Sequence, residues 1–313
     1  MIPLLGSVLE PLLSALRRRR AAKFWGRQHR ASQPERAFWL SVPEIMGWVN
    51  LKVSGEPQIW PLSWFLLSLP ADRLPVDNAL SIGCGPGNLE REVIRHEAAR
   101  HITAIDISPD SLRLARRLAH EAGCAERITY RRASARQWLR DHRTSVPIDL
   151  IFFHGSLHHI QSLEEVLRDC ARCLEKGRPG LLYVDEYIGP SRDEWNDGHL
   201  GYAAALFARI PAAFRQSSRL TFPVAFEDPT EMIRSSQILA AIRDRFEVLE
   251  FRPYYGNILM PLVCAIKPEG LPEPPVQSVL REAMQLEDYL AGRGLLDPMY
   301  AVIVAKPGKA VEI

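Results

Sequence analysis

The sequence has no uninterrupted apolar run approaching the roughly 18 residues of a membrane-spanning helix, although 47% of its residues are apolar. It has no charge surplus either. Thirty-nine Lys and Arg stand against 37 Asp and Glu, a net of +2, which gives no case for nucleic acid as a partner. Cysteine is sparse: five in 313 residues, an odd number without regular spacing. That fits a reducing compartment and a cytoplasmic location. Cys170 and Cys173 form a lone CxxC inside a predicted helix. No second pair or neighbouring His/Cys cluster completes a tetrahedral site, so no metal is expected. Internal repeats are absent, and the length suits one α/β domain with a smaller addition.

What is present centres on Asn78 to Ile94. A short apolar run (Ala79, Leu80, Ile82) stops at Gly83, Gly85 and Gly87, and a helical pattern follows with Leu89, Val93 and Ile94 on one face. This is strand, glycine turn and helix start. The turn brings backbone N–H groups and the helix N-terminus into one corner, where open parallel sheets bind ligands. A phosphate-gripping loop needs Gly-Lys-Ser/Thr at its end, but Gly87 is followed by Asn88 and Leu89. A dinucleotide fold wants G-x-G-x-x-G, and the spacing here is G-x-G-x-G. A nucleoside ligand without a phosphate chain remains. The next strand ends in Asp106, near the offset of a carboxylate that accepts hydrogen bonds from ribose hydroxyls. Ser108-Pro109 then opens a helix.

Ser81-Ile82-Gly83-Cys84-Gly85-Pro86-Gly87, followed by Ala104-Ile105-Asp106-Ile107-Ser108, resembles the class I S-adenosylmethionine-dependent methyltransferases. The resemblance runs from about Asn78 to Glu186 and resumes near the C-terminus. It implies a doubly wound, mostly parallel seven-stranded Rossmann-like α/β sheet of order 3-2-1-4-5-7-6, its last strand antiparallel. It also implies S-adenosyl-L-methionine as cofactor, held by Gly83, Cys84, Gly85, Gly87, Asn88, Asp106, Ile107, Ser134, Ala135, His154 and Gly155. Many relatives place an acid for the adenine amine where this chain has Ser134. The Asn/Asp-Pro-Pro-Tyr/Phe tetrad of nucleobase amino-methylating relatives is absent, which argues against a nucleobase acceptor. Three further stretches, Asp185–Arg192, Tyr255–Leu259 and Leu286–Leu290, resemble a bacterial subgroup linked to glycan or secondary-metabolite modification.

The flanks are expected to be additions to this domain. Residues 1–75 read as an N-terminal helical segment or lid, and 76–313 as the cofactor-binding domain with an acceptor-pocket insertion at about 190–245. Ile2, Leu5, Leu9, Leu12 and Leu16 recur at helical spacing, with Arg17–Arg20 after them. A secretion signal has the opposite order, so export is not expected. Such a helix suits docking on its own domain, a homodimer partner or a membrane surface. Five tryptophans between Phe24 and Leu69 read equally as core or lid. Val49–Gly55 reads as a loop or short strand. The first helix of the domain is expected over Asn88–Ala98. The insertion is rich in aromatics suited to a pocket wall, with Trp195 and His199 candidates to face an acceptor.

Methyl transfer from a sulfonium is an in-line displacement, so alignment is the enzyme's main task. A hydroxyl or amine acceptor also needs a base. Candidates follow the fourth strand in Phe152-Phe153-His154-Gly155-Ser156-Leu157-His158-His159-Ile160, and His158 or His159 is the expected base. Glu186, after the fifth strand, is a third catalytic candidate, bonding cofactor or acceptor, or else pairing with Arg192. The expected function is methylation of a small molecule or sugar at oxygen. Nitrogen and carbon acceptors, an NAD-dependent oxidoreductase and a non-catalytic partner-binding protein are the alternatives.

Overall fold

A computed structural model describes residues 3–28, 38–142 and 147–308, with side chains from residue 13 onward. Seven strands form one sheet: β1 (Val76–Ile82), β2 (Ala99–Asp106), β3 (Ile128–Arg132), β4 (Leu150–His154), β5 (Leu181–Tyr187), β6 (Phe246–Pro253) and β7 (Tyr300–Pro307), in the order β3-β2-β1-β4-β5-β7-β6. The first five are parallel, and β7 runs antiparallel to both β5 and β6. Eleven α-helices accompany them among the described residues: α1 (Pro3–Gln28), α2 (Pro43–Ser54), α3 (Pro61–Ser68), α4 (Asn88–Arg95), α5 (Pro109–Glu121), α6 (Ala135–His142), α7 (Leu163–Leu174), α8 (Gly201–Phe207), α9 (Ile238–Arg245), α10 (Leu259–Cys264) and α11 (Pro274–Gly292). No helix among the described residues is long and apolar enough to cross a membrane.

The sheet is buried on both faces, as parallel sheets require. Successive strand side chains point to opposite sides, so β4 and β5 divide themselves between two cores. Leu150, Phe152 and Tyr183 pack on one face, and Ile151, Phe153, Leu182 and Val184 on the other. Asp149 locks the edge from which the strands rise. Its carboxylate accepts from the backbone of Asn78 at 2.9 Å and of Arg178 at 2.7 Å.

The N-terminal segment is helical and part of the core. Phe65 of α3 packs on Tyr183 and Phe152, with centroids at 4.9 and 6.3 Å. Trp39 is buried against Tyr300 and Tyr254. Val49–Gly55, read above as loop or strand, is instead the second half of α2 and its cap. Ile45, Val49 and Val53 recur every fourth residue on its buried side, and Gly55 ends it at φ 85°. Trp48 and Lys52 reach across to Asp288 on α11. The helix expected over Asn88–Ala98 ends earlier, at Arg95, because Glu97 turns at φ 52° and Ala99 already pairs in β2.

Two of the three stretches that resemble the bacterial subgroup, Tyr255–Leu259 and Leu286–Leu290, meet in space. Glu287 accepts hydrogen bonds from the backbone N–H groups of Gly256, Ile258 (2.8 Å) and Leu259 (3.1 Å), tying α11 to the start of α10. Between β5 and α9 the chain forms α8 and short 3₁₀ turns, which bring Trp195, Phe207 and Val224 into the larger core.

Candidate functional site

Two groups of side chains gather at the carboxyl ends of the central strands. The first is the glycine turn between β1 and α4. Gly83, Gly85 and Gly87 stand at φ 74°, 51° and 78°, left-handed backbone that side chains resist. At Gly83 a Cβ would collide with Ser156, and at Gly87 with the Tyr130 hydroxyl. The turn is pinned to the next strand by the N–H groups of Gly83 and Cys84, which donate to the Ile105 carbonyl at 2.8 and 3.1 Å.

Asp106 closes this corner. Its Oδ2 accepts from Gly85 N at 2.9 Å and its Oδ1 from Ser108 N at 2.7 Å. Each oxygen keeps a second lone pair, and no cationic side chain among the described residues pairs with this carboxylate. Burial pushes its pKa up, opposed by the amides of Ser108, Gly85 and Ile107. Ile107 is half-buried beside it, as are Ser134 and Ala135 at the end of β3. The Ser134 hydroxyl accepts from Gln137 N at 3.3 Å as the cap of α6. Asn88 is exposed and turned towards Arg91. His154 and the exposed Gly155 stand on the other side of β1, at the end of β4. The His154 ring meets Trp60 edge-on at 5.6 Å, and its Nε2 lies 3.6 Å from Asp185.

Behind the turn lies Glu90, fully buried, with no described donor in good hydrogen-bond geometry to either carboxylate oxygen, so that Ser81 and its own amide only partly offset the burial. Burial pushes it to about 7. The folded state therefore holds this proton more tightly than the unfolded chain does. Stability from the neutral carboxyl is complete below pH 4.5 and is lost as pH rises through about 7. Glu90→Gln is expected to remove that loss. Its melting temperature relative to wild type should climb between about pH 5 and pH 8, by the equivalent of about 3 kcal/mol. A difference independent of pH would refute this assignment.

The second group is built on the 3₁₀ turn Leu157–His159 after β4. Glu186, at the end of β5, organises it. Its Oε2 accepts from Ser156 N (2.8 Å) and Leu157 N (2.6 Å), and its Oε1 accepts from Tyr187 N (2.7 Å) and from His158 Nδ1–H at 2.5 Å. Burial works against its charge, but His158 and these amides outweigh it and hold Glu186 below the ordinary glutamate range. Burial likewise opposes a charge on His158, and the carboxylates of Glu186, Glu231 and Asp228 overcome it, so His158 rises. His159 falls, through burial and then the neighbouring His158 charge. Glu186 thus pairs with His158. Arg192, the other partner considered, donates to the Asp228 carbonyl at 3.0 Å.

The insertion supplies two acids that sequence reading missed, Asp228 and Glu231. Asp228 Oδ1 accepts from Thr230 N (2.8 Å) and the Thr230 hydroxyl (2.7 Å), and its Oδ2 accepts from Trp25 Nε1 at 2.9 Å. His159 Nδ1 lies 3.2 Å from Thr230 Oγ1 and 3.5 Å from Asp228 Oδ2. Glu231 stands 3.8 Å from the Nε2 atoms of both histidines; burial raises it to about 7. Ile233 N donates to the His158 carbonyl at 3.3 Å, which aligns the two segments. Trp195 and His199 do not join this group. Trp195 packs on Phe222, and His199 Nδ1 accepts from Asn196 N in a helix cap.

The geometry therefore offers a glycine-lined corner with a carboxylate holding free lone pairs, beside a buried cluster of two imidazoles and three carboxylates. Comparison with known proteins points the same way. Residues 79–177 match the methyltransferase domain family. A ubiquinone biosynthesis O-methyltransferase of Xylella fastidiosa (strain 9a5c) is 32% identical over 114 residues, 36% of this chain and 43% of that protein. Polyamine aminopropyltransferase 1 of Streptomyces coelicolor is 36% identical over 105 residues, 30% of this chain and 20% of that protein. The chain thus spans less than half the length of these two curated relatives. Among solved structures, a geranyl diphosphate C-methyltransferase from Streptomyces coelicolor A3(2), determined with Mg2+, geranyl diphosphate and S-adenosyl-L-homocysteine, superposes with a TM-score of 0.52 at 14% identity, over 93% of this chain and 98% of that one. At that identity the likeness is one of fold. With the glycine turn, the acid that closes it and the domain match all falling on one stretch, residues 79–177 belong to the class I S-adenosylmethionine-dependent methyltransferases.

Proposed function

We propose that this protein transfers a methyl group from S-adenosylmethionine to an oxygen of a small-molecule or sugar acceptor. The observation that carries the reading is Asp106. Its carboxylate is held over the glycine turn by the Gly85 and Ser108 amides, one lone pair of each oxygen is left over, and no cationic side chain among the described residues pairs with it. Two vicinal hydroxyls fit that pair of acceptors, whereas a phosphate chain would meet a negative charge.

The residues that would hold the cofactor are Gly83, Cys84, Gly85, Gly87 and Asn88 at the turn, Asp106 and Ile107 at the ribose, Ser134 and Ala135 towards the base, and His154 and Gly155 at the end of β4. When bound, S-adenosylmethionine supplies an activated methyl group on a sulfonium centre. The chain's own contribution is alignment, exclusion of water and removal of the acceptor proton. Trp60 over His154 and Trp25 over His159 wall the corner from the N-terminal side. The aromatic insertion would close it from the other. The acceptor proton would pass to the His158–His159–Glu231 group, with Glu186 fixing the His158 ring rather than touching the acceptor. That is a positioning role of the kind a buried carboxylate plays beside a catalytic imidazole.

The test is incubation with methyl-labelled S-adenosylmethionine and a small-molecule extract of the cells that make the protein. Label should move into one organic product with the wild-type chain, and at subsaturating cofactor about tenfold or more slowly with Asp106→Ala. Absence of transfer, together with absence of cofactor binding in calorimetry, would overturn the reading.

A further inference from the structure

The histidine cluster has a feature that proton handling alone does not require. Two imidazole Nε2 atoms and one carboxylate converge, three electron-pair donors once both rings are neutral. His158 gives its Nδ1 proton to Glu186, an acceptor-only carboxylate. Its Nε2 points at Glu231 Oε1, 3.8 Å away; in the neutral ring it presents a lone pair, so a cation bound there would replace the proton that the surrounding carboxylates otherwise favour. The Thr230 hydroxyl spends its own proton on Asp228, so at 3.2 Å it can only accept from His159 Nδ1–H. His159 Nε2 then also presents a lone pair, 3.8 Å from Glu231 Oε2. Glu231 receives no hydrogen bond from a described residue, and 3.8 Å is too long for one. The three ligand atoms all lie within 4.8 Å of one another.

This arrangement suits a cation. Ligand atoms on a tetrahedral zinc, bonded at about 2.0–2.1 Å, stand about 3.4 Å apart. Side-chain rotations of about half an ångström to an ångström would close the set. The surroundings match as well. Each histidine has its second nitrogen held by a carboxylate or a carboxylate-anchored hydroxyl, the outer-shell pattern of metal-binding imidazoles. Glu186, Asp228 and Glu231 put three buried carboxylates around two rings. Arg192 faces them, spending one N–H on the Asp228 carbonyl. A dication would balance what is left of that charge. The backbone holds the third ligand in place. Met232 is in left-handed conformation at φ 50°, and Arg192 N donates to its carbonyl at 2.8 Å.

We propose that His158, His159 and Glu231 bind one divalent transition cation, through both Nε2 atoms and the Glu231 carboxylate, with a coordination position open to an oxygen of the acceptor. In the loaded protein these three residues would be ligands rather than the base, and the cation would make the acceptor proton labile for release to water. Two nitrogens and a carboxylate suit zinc or ferrous iron, whereas magnesium and calcium take oxygen ligands. The inference rests on the methyl-transfer reading only for what fills the open position; cation binding stands on the cluster itself. Along the chain the metal signal weighed is the cysteine spacing, whereas Glu231 lies far from the histidines in the insertion.

The experiment is a zinc titration of the chelator-stripped full chain by calorimetry, repeated with cobalt(II) followed by absorption. One equivalent should bind, without the thiolate charge-transfer band that cysteine ligation would add. Glu231→Gln and His159→Ala should each weaken binding by about a hundredfold or more, and Asp228→Asn by about 10–100-fold. S-adenosylhomocysteine binding and the melting temperature are measured on the same samples. A folded wild-type chain that binds the nucleoside but takes up no stoichiometric cation refutes the metal site and spares the methyl-transfer reading. Uptake unchanged in Glu231→Gln refutes it too. Cation uptake without nucleoside binding would keep the site and overturn the function.

Discussion

Replacing Asp106 by alanine is expected to weaken S-adenosylhomocysteine binding about tenfold or more in a chain that still folds. Hydrogen bonds to a charged acceptor contribute about 1.5–3 kcal/mol each, and the carboxylate has one unused lone pair on each oxygen for the two ribose hydroxyls. The same residue also holds Gly85 N and Ser108 N, so the alanine variant loosens the turn as well as losing the ribose contact. Asp106→Asn separates the effects. The amide keeps one acceptor for Ser108 but turns a donor towards Gly85, and it should bind more weakly than wild type and melt closer to it than the alanine variant does. Calorimetric titration with thermal melts as control gives both readings. Unchanged affinity in folded Asp106→Ala would place the nucleoside elsewhere.

Glu186→Ala should have the largest effect on the protein as a whole. The carboxylate satisfies the buried amides of Ser156, Leu157 and Tyr187 as well as the His158 ring. Each stranded buried donor costs about 1–3 kcal/mol, and breaking a buried charged pair costs about 3–5 kcal/mol. A loss of about 4 kcal/mol or more is expected in urea denaturation, together with loss of turnover. Glu186→Gln keeps the shape and a carbonyl for two amides, and it should recover part of the stability while leaving His158 without its anionic partner. Full stability in Glu186→Ala would mean that the turn holds itself.

The parts of this molecule that were legible in its sequence are those where local pattern and tertiary demand agree. The alternating strand and helix signals from Asn78 to Asp185 reappear as β1 to β5, because each strand is buried on both faces and each helix on one. The order of the sheet came with the family resemblance, not with the pattern. The N-terminal region was misread where two signals competed. Val49–Gly55 reads as loop or short strand, yet Val49 and Val53 with Ile45 mark one face of α2, and Gly55 is its cap. The tryptophans could not be sorted from sequence. Trp39 became core because Tyr254 and Tyr300 offer it a stack, while Trp25 and Trp60 reached the histidines.

The site was half legible for a related reason. Gly83–Gly87 and Asp106 lie close along the chain and carry a spacing. Asp228 and Glu231 carry none. They sit in an insertion without periodicity, and they reach His158 and His159 only because the backbone at Ile233 docks on the His158 carbonyl. Glu186 was singled out for its place at a strand end, but its partner was settled by the turn of residues 157–159 folding onto it rather than by the nearer Arg192.

A crystal structure with S-adenosylhomocysteine tests the central claim most directly. The account expects the nucleoside to lie over Gly83–Gly87 with both ribose hydroxyls hydrogen-bonded to the Asp106 carboxylate. Density for the nucleoside at any other place on the sheet, or an Asp106 side chain turned into solvent beside it, would contradict the account.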